Sequence, residues 1–389
     1  MTEKLYEQDA FLVKFEAQVL SCEKGKKGFD IVLDRTAFYP EGGGQPYDTG
    51  VLETDGKRVK VLEVHNRDGE IVHTCNHPLD TGTAVTGIID WDRRFDLMQQ
   101  HSGEHIVSGL THCLWGCENV GFHMGAEVVT IDLSLPLTED QLTLLEQEAN
   151  RCLWLDQPVR ITYPSREELE HIHYRSKKEL TGQVRIVEFP GADCCACCGT
   201  HVRSAGQVGL VKLLSMQKFR EGVRIELVCG GRAFRYLSQV MAQNSQVSHL
   251  LSANPLQTGA AAARLLAENE ALKARLMSLE ESRFSALAGQ YAGAGDVVLF
   301  EEGLSPDALR RLCDAVLHSC GGLCACFSGT EEDGYKYAVG RAGGDLRTLV
   351  KELNTALNGR GGGKPDFVQG SVQATRTEIA NFFQREGTL

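Results

Sequence analysis

The chain has 389 residues, 42% of them apolar and 24% charged, as in a soluble globular protein with full cores in two or three domains. A net charge of -12 argues against a general DNA-coating protein. No apolar run approaches the roughly 18 residues that cross a bilayer, and the N-terminus MTEKLYEQDAFLVKFEAQVL is acidic where a signal peptide is basic, so a cytoplasmic chain without a membrane partner is expected.

Residues 11–90 alternate short apolar runs with Gly and Asp turns (GFDIVLD, VKVLEV, AVTGIID), which predicts a small β domain or barrel. A helix is expected from about Asp92 to Leu114, then a strand at AEVVTIDLS. The helix in LTEDQLTLLEQEANRCLWL begins with a capping box of Thr138 and Gln141. Strands return at VRITY, VRIVEF, GQVGLVKLLSMQKF and VRIELVCG, giving an α+β domain with an antiparallel sheet. Between Arg175 and Arg235 eleven Lys and Arg face five acids, a local positive excess that suits a polyanion or a solvated face. After Pro255 comes an Ala-, Leu- and Glu-rich run. In it Leu265, Leu272 and Leu279 take d positions and Leu276 an a position, with Asn269 and Arg283 at the other a positions: an imperfect coiled coil that packs on its own chain or on a second copy. Beyond Gly293–Gly295, alternating strands and helices (VVLFEE, LCACFSG, YKYAVG, DLRTLVKELNTAL, TRTEIANFFQRE) indicate a separate C-terminal α/β domain.

The chemistry concentrates in two places. His101 and His105 lie four apart on a helix, so both rings project from one face. In DCCACCGTHV, Cys197 and His201 are also four apart, with Gly199 permitting a tight turn. In a reducing compartment the fourteen cysteines are mostly thiols, and a tight cluster binds metal more readily than it forms disulfides. Three imidazoles and one thiolate would make a tetrahedral site of the kind zinc prefers. Two alternatives stand beside this. H-S-G-E-H matches the H-x-x-E-H signature of zinc peptidases, with Glu104 as general base and Glu179 or Glu188 as third ligand. Cys194, Cys195, Cys197 and Cys198 could instead form a zinc knuckle or an iron–sulfur ligand set.

Three stretches in order carry a resemblance: FYPEGGGQPYDTG with RRFDLMQQHSGEHIVSGL, then GFHMGAEVVTIDLS, then CCGTHV with GQVGLVKL and GVRIELVCGGRA. Together they resemble the alanyl-tRNA editing proteins of the AlaX family, free-standing relatives of the editing domain of alanyl-tRNA synthetase. The tail GRGGGKPDFVQG is similar to the DHH-associated C-terminal domain of that synthetase. The resemblance implies the long form: an α+β chain with a glycine-rich-motif β domain (residues 1–90), a zinc-dependent editing core (91–240), a helical coiled-coil arm (241–292) and a C-terminal α/β domain (293–389). It implies one zinc ion on His101, His105, Cys197 and His201; four firm ligands would make the ion an anchor for the substrate, three would leave a position that exchanges for a water nucleophile, and the second is the expectation adopted. It also implies hydrolysis of the ester in tRNA(Ala) charged with serine or glycine, and a possible homodimer through the C-terminal region. The editing domain of threonyl-tRNA synthetase shares the same ligand spacing, but the GGGQ and GTHV segments and the tail favour the alanine type.

Glu104 stands where the family more often has an amide or a small residue; it is a catalytic candidate or a solvent-facing helix residue. Thr36 and Gln45 are candidates to offer serine's hydroxyl a partner and so favour serine over alanine. Glu41 with Gly42, Gly43 and Gly44 forms either a substrate-side loop, in which backbone N–H groups approach a ligand, or a plain hairpin turn. Arg360 and Lys364 lie in a glycine-rich segment that meets tRNA phosphates, or in a loop between two helices. A zinc-containing tRNA-binding protein without turnover is the non-enzymatic alternative.

Overall fold

The computed structural model describes residues 2–176 and 182–385; Glu179 and its neighbours lie outside them. The chain divides into two compact units, Met1–Asn244 and Ser245–Leu389, so the segments expected as 1–90 and 91–240 lie within one unit.

In the first unit β1 (Lys14–Lys24), β2 (Phe29–Leu33), β3 (Gly50–Thr54), β4 (Lys57–Arg67), β5 (Glu70–Cys75) and β6 (Ala84–Ile89) close a barrel in the order β1-β2-β5-β4-β3-β6, every pair antiparallel. Alternate residues such as Phe15, Val19, Leu52, Val59 and Val61 point inwards and fill it, as the period of two requires. Asp90 caps α1 (Trp91–Trp115) by accepting from the Arg93 N–H, and Gly116, at φ 64°, ends it with its N–H on the His112 and Thr111 carbonyls. Fifteen of its 25 residues are buried, so this is a core helix rather than a surface one with a single apolar stripe.

Around α1 lie an antiparallel sheet in the order β12 (Val211–Phe219), β13 (Gly222–Cys229), β8 (Val129–Leu133), β7 (Asn119–Met124), and a smaller one in the order β9 (Arg160–Thr162), β10 (Ile186–Phe189), β11 (Asp193–Ala196). The α2 helix (Glu139–Leu155) starts with the expected capping box. Two glycines inside α1 look costly, at about 1 kcal/mol each against Ala. They are there for close approach: a Cβ on Gly103 would stand 2.2 Å from Cys229 Sγ, and one on Gly109 would stand 2.3 Å from the Ala192 carbonyl and 2.5 Å from Asp193 Cβ. The helix therefore touches the backbone that leads into β11. The division between units falls within α3 (Gly230–Leu250).

The second unit contains α4 (Thr258–Gln290), β14 (Gly295–Glu301), α5 (Pro306–Cys320), β15 (Gly321–Thr330), β16 (Gly334–Arg341), α6 (Arg347–Ala356), β17 (Arg360–Lys364), β18 (Phe367–Val372) and α7 (Arg376–Arg385). Its sheet runs β14-β15-β16-β18-β17, with only β14 and β15 parallel. The glycine-rich tail is thus not a loop between helices. It is the edge hairpin β17–β18, and its glycines let the backbone cross Tyr337, whose hydroxyl would lie 2.0 Å from a Cβ on Gly361. The α4 helix buries Phe284 and Ala288 near its C-terminus, whereas Leu265, Leu272, Leu276 and Leu279 are all more than half exposed. Among the described residues no helix is long and apolar enough to cross a membrane.

Candidate metal centre

The helical spacing of His101 and His105 and the spacing of Cys197 and His201 meet at one point. The ligand atoms of these four residues all lie within 4.8 Å of one another, and the three histidines are nearly fully buried. Cys197 Sγ is 3.5 Å from His101 Nε2 and 3.4 Å from His201 Nε2. A tetrahedral zinc, with bonds of about 2.3 Å to sulfur and about 2.0 Å to nitrogen, separates the two atoms by about 3.5 Å, so the residues present fit the ion.

Each imidazole is fixed by what its far nitrogen meets. His101 Nδ1 lies 2.9 Å from Gln45 Oε1, an oxygen that can only accept, so the proton sits on Nδ1 and Nε2 is left for the metal. His105 Nδ1 lies 2.8 Å from Asp193 Oδ2, and His201 Nδ1 lies 3.2 Å from Ser102 Oγ. Asp193 is itself gripped at both oxygens by Arg175, at 2.7 and 2.9 Å. Burial pushes the Asp193 carboxyl up, but His105 and Arg175 outweigh it and hold it below its ordinary range. Burial would likewise raise the Cys197 thiol; the surrounding His101, His105 and His201 hold it well below its usual value, as a metal ligand needs. The Gly199 N–H donates to the same sulfur at 3.3 Å. Gly199 is required for proximity rather than for a left-handed turn, since a Cβ there would stand 2.1 Å from His101 Cε1.

The glycine-rich segment is a tight turn that presents a side chain. Gly42 and Gln45 exchange backbone hydrogen bonds across Gly43 (φ 61°) and Gly44 (φ 86°), the two positive-φ positions that a two-residue hairpin turn of this kind demands. Gln45, fully buried, leaves the turn to bond His101 and to donate to Thr200 Oγ1 at 2.8 Å. Gly44 has no room for a Cβ because the Phe122 ring is 2.5 Å away, and that ring stacks on His101 at 5.6 Å between centroids.

The other expected residues fall elsewhere. Thr36 is fully buried in the barrel, its hydroxyl bonded to His73 Nε2 and to the Phe38 N–H, and none of its hydrogen bonds reaches the four ligands. Glu41 is exposed and turns towards His65, 3.7 Å away. Glu104 does not face solvent: only 2% of it is exposed, and its Oε1 accepts from Ser108 Oγ at 2.7 Å and Asn119 Nδ2 at 2.5 Å. The reason is that α1 is enclosed on all sides, so a helix position that would usually be wet is lined by Ser108 and Asn119. Arg360 and Lys364 lie on the exposed edge strand β17 in the second unit.

These placements weigh against the alternatives. A peptidase needs Glu104 as base and a carboxylate ligand, yet Glu104 is held by two donors and Glu188 pairs with Arg160 at 3.4 Å, while Glu179 lies outside the described residues. Of the clustered cysteines Cys197 is the one that joins all three histidines; the buried Cys195 lies within 4.8 Å of His105 and Asp193 only, Cys198 is exposed and Cys194 half-buried, so the four thiols do not gather into a knuckle. In the sequence Asp193 and Arg175 had no part beyond the local charge balance, and Ser102 none, although all three stand behind the ligands. Asp193 had one signal, the alternation of β11, which puts it on the same buried side as Cys195. Replacing Asp193 with Asn should lower the affinity of the cluster for a metal ion 10- to 100-fold, the usual cost of losing a carboxylate behind a ligand histidine. A chelator competition titration reads this, and an unchanged affinity would remove Asp193 from the orienting role.

Comparison with known proteins agrees with this architecture. Residues 3–93 match the family described as class II (A) tRNA synthetases, residues 184–226 the second additional domain of threonyl and alanyl tRNA synthetases, and residues 293–385 the DHHA1 domain. Alanyl-tRNA editing protein Aarsd1-A of Xenopus laevis is 28% identical, over 97% of this chain and 96% of its own length. Alanyl-tRNA editing protein AlaX-L of Pyrococcus horikoshii is 27% identical over the same shares. An alanine–tRNA ligase of Halorubrum lacusprofundi is 31% identical over 95% of this chain, which spans only 42% of that relative's length. With these segments in this order and two editing proteins matched end to end, the chain is similar over nearly its whole length to the free-standing alanyl-tRNA editing proteins in their long, AlaX-L form.

Proposed function

We propose that the chain is a zinc-dependent trans-editing hydrolase of the cytoplasm that removes serine or glycine wrongly esterified to tRNA(Ala). The observation that carries this reading is the convergence of His101, His105, Cys197 and His201 at sulfur–nitrogen distances that suit one zinc ion, beside a buried turn that delivers Gln45. When bound there, zinc supplies fixed positive charge for an ester carbonyl or for a substrate amine or hydroxyl. An aminoacyl ester is already activated, so the protein has chiefly to orient the group and exclude bulk water. Asp193, Gln45 and Ser102 keep the ligand rings aimed, and Gly199 and Gly44 let the two loops close on them without side chains in between.

In this reading residues 1–90 present the glycine-rich turn, 91–240 hold the metal, and 241–292 and 293–389 supply an arm and an RNA-facing module. Gln45 is proposed to discriminate serine from alanine by way of its amide. Thr36 shares that role only by giving up its bond to His73, and Thr36→Val leaving the serine-to-alanine rate ratio unchanged removes it. Glu104 is proposed to act through the network of Ser108 and Asn119 rather than as a base in contact with substrate. The exposed leucines of α4 support a homodimer of parallel or antiparallel arms.

The test is deacylation of tRNA(Ala) charged with serine, glycine or alanine, with zinc assayed in the same preparation. Loss of serine or glycine with alanine spared supports editing; no turnover despite stoichiometric zinc and tight tRNA binding moves the protein to the binding class. For the C-terminal hairpin, Ala at both Arg360 and Lys364 should weaken tRNA binding severalfold and flatten its salt dependence by about two phosphate contacts. An unaltered slope in a filter-binding series would leave β17 a purely structural edge.

A further inference from the structure

Arg185 is 8% exposed and stands directly behind the metal-ligand loop. Its Nη1 donates to the Cys197 carbonyl at 2.7 Å and to the Gly199 carbonyl at 3.0 Å, while its own backbone carbonyl accepts from the Cys197 N–H at 3.1 Å. The guanidinium and the backbone of Arg185 are thereby both tied to the loop. Its Nε, by contrast, is buried without any hydrogen-bond partner, and no carboxylate among the described residues pairs with it. A buried donor left unmade costs about 1–3 kcal/mol, more when charged, and arginines elsewhere in this unit avoid it: Arg94, Arg175, Arg224 and Arg232 each hold a carboxylate. Burial alone therefore does not account for Arg185. The loop carbonyls use one of its nitrogens and leave the planar fork, which suits phosphate oxygens, uncommitted.

Gly199, whose carbonyl the guanidinium holds, packs beside Gln45 Oε1, which also accepts from the Thr200 N–H at 3.0 Å, so Arg185 is joined to the place where the ligand loop meets the glycine-rich turn. Cys198 is exposed, which leaves that place open to solvent. In a charged tRNA one ribose separates the ester from the nearest phosphodiester. In the protein one residue, Cys198, separates the ligand Cys197 from Gly199, whose carbonyls both rest on Arg185.

We infer that Arg185 is the anchor for the last phosphodiester of the RNA acceptor end, holding the terminal ribose so that its ester lies over the metal centre. This rests on the editing reading and adds to it a positioning residue and the chemical group that it grips. Phosphate contact by a guanidinium already pinned to the metal loop couples substrate placement to the loop itself, with little ordering left to do on binding.

The experiment uses the zinc-loaded full chain and serine-charged RNA in which the last phosphodiester is either native or a neutral methylphosphonate. For the wild type, neutralising that linkage should raise KM about tenfold, the worth of one charge-assisted hydrogen bond, with a smaller change in kcat. Arg185→Gln should show the same rise on native RNA and no further loss on the methylphosphonate, while retaining zinc; Arg185→Lys should recover part of the loss. If the wild type and Arg185→Gln lose equally on neutralisation, the phosphate is held elsewhere and the assignment falls, although editing stands. If Arg185→Gln fails to hold zinc, the same comparison in Arg185→Lys decides, because a lysine can keep one loop carbonyl but not the fork. No hydrolysis of native charged RNA by the wild type would sink the editing reading itself, a result that is visible before any variant is compared.

Discussion

Cys197→Ala is expected to leave the chain with less than about a tenth of an equivalent of zinc and to lower ester hydrolysis by at least about 100-fold. The size follows from the ligand geometry. Cys197 is the one anionic ligand of the set, and its sulfur is met by His101 Nε2 at 3.5 Å, His201 Nε2 at 3.4 Å and the Gly199 N–H at 3.3 Å. Without it three imidazoles with no charge to offer remain around the ion. Serine at the same position should not rescue, since its hydroxyl is a harder, less acidic ligand that stays protonated where a thiolate forms. Cys194→Ala and Cys198→Ala are the controls: both side chains lie outside the four-ligand set, and zinc content should be unchanged. Metal analysis together with single-turnover hydrolysis reads all four variants. A Cys197→Ala protein that kept full zinc and full rate would place the chemistry somewhere other than this cluster.

Part of this site was legible because helical periodicity is a local property. His101 and His105 four apart on a capped helix must share a face, and no tertiary knowledge is needed to say so. The strand pattern of residues 11–90 and the capping box at Thr138 are of the same kind. What sequence spacing does not carry is which distant residue stands behind each ligand. Gln45, 56 residues away from His101, reads as a polar tip on a glycine run until the turn places its oxygen on Nδ1. Asp193 hides inside a cysteine-rich stretch that draws attention to its thiols. Glu104 misleads for a related reason: a charged helix residue is usually wet, but here the helix is central, and its two interior glycines, Gly103 and Gly109, were the sign that other chain segments press on it from several sides. The tail misled in the opposite direction, because a run of glycines that marks turns elsewhere becomes an edge strand when a neighbour such as Tyr337 needs the space.

Arg94→Ala should destabilise the first unit by about 3–5 kcal/mol, the largest stability loss expected of any single change outside the ligands. Arg94 is fully buried and bonds Asp48 through both Nε and Nη2, with further bonds to the Ala10 carbonyl at 2.7 Å and the Ala37 carbonyl at 2.6 Å. Removing it strands a buried carboxylate, the buried Ala37 carbonyl and the partly buried Ala10 carbonyl at once. A double replacement, Arg94→Met with Asp48→Leu, removes both charges and should recover much of the loss, because a buried ion pair is costly to break and much cheaper to exchange for apolar side chains. The double variant still lacks one thing. Asp48 Oδ2 also accepts from the Tyr39 N–H at 2.6 Å, so the carboxylate ties α1 to the start of the glycine-rich turn that delivers Gln45 to His101. The double variant should therefore fold and hold zinc yet hydrolyse ester more slowly than the wild type. All three tryptophans, Trp91, Trp115 and Trp154, lie in the first unit, so their fluorescence in a urea titration reports its stability separately from the second. If Arg94→Ala unfolds within about 1 kcal/mol of the wild type, the pair does not bind the barrel to the metal helix. If the double variant recovers full turnover, the turn finds its place without Asp48, and the barrel's contribution to the site is confined to packing.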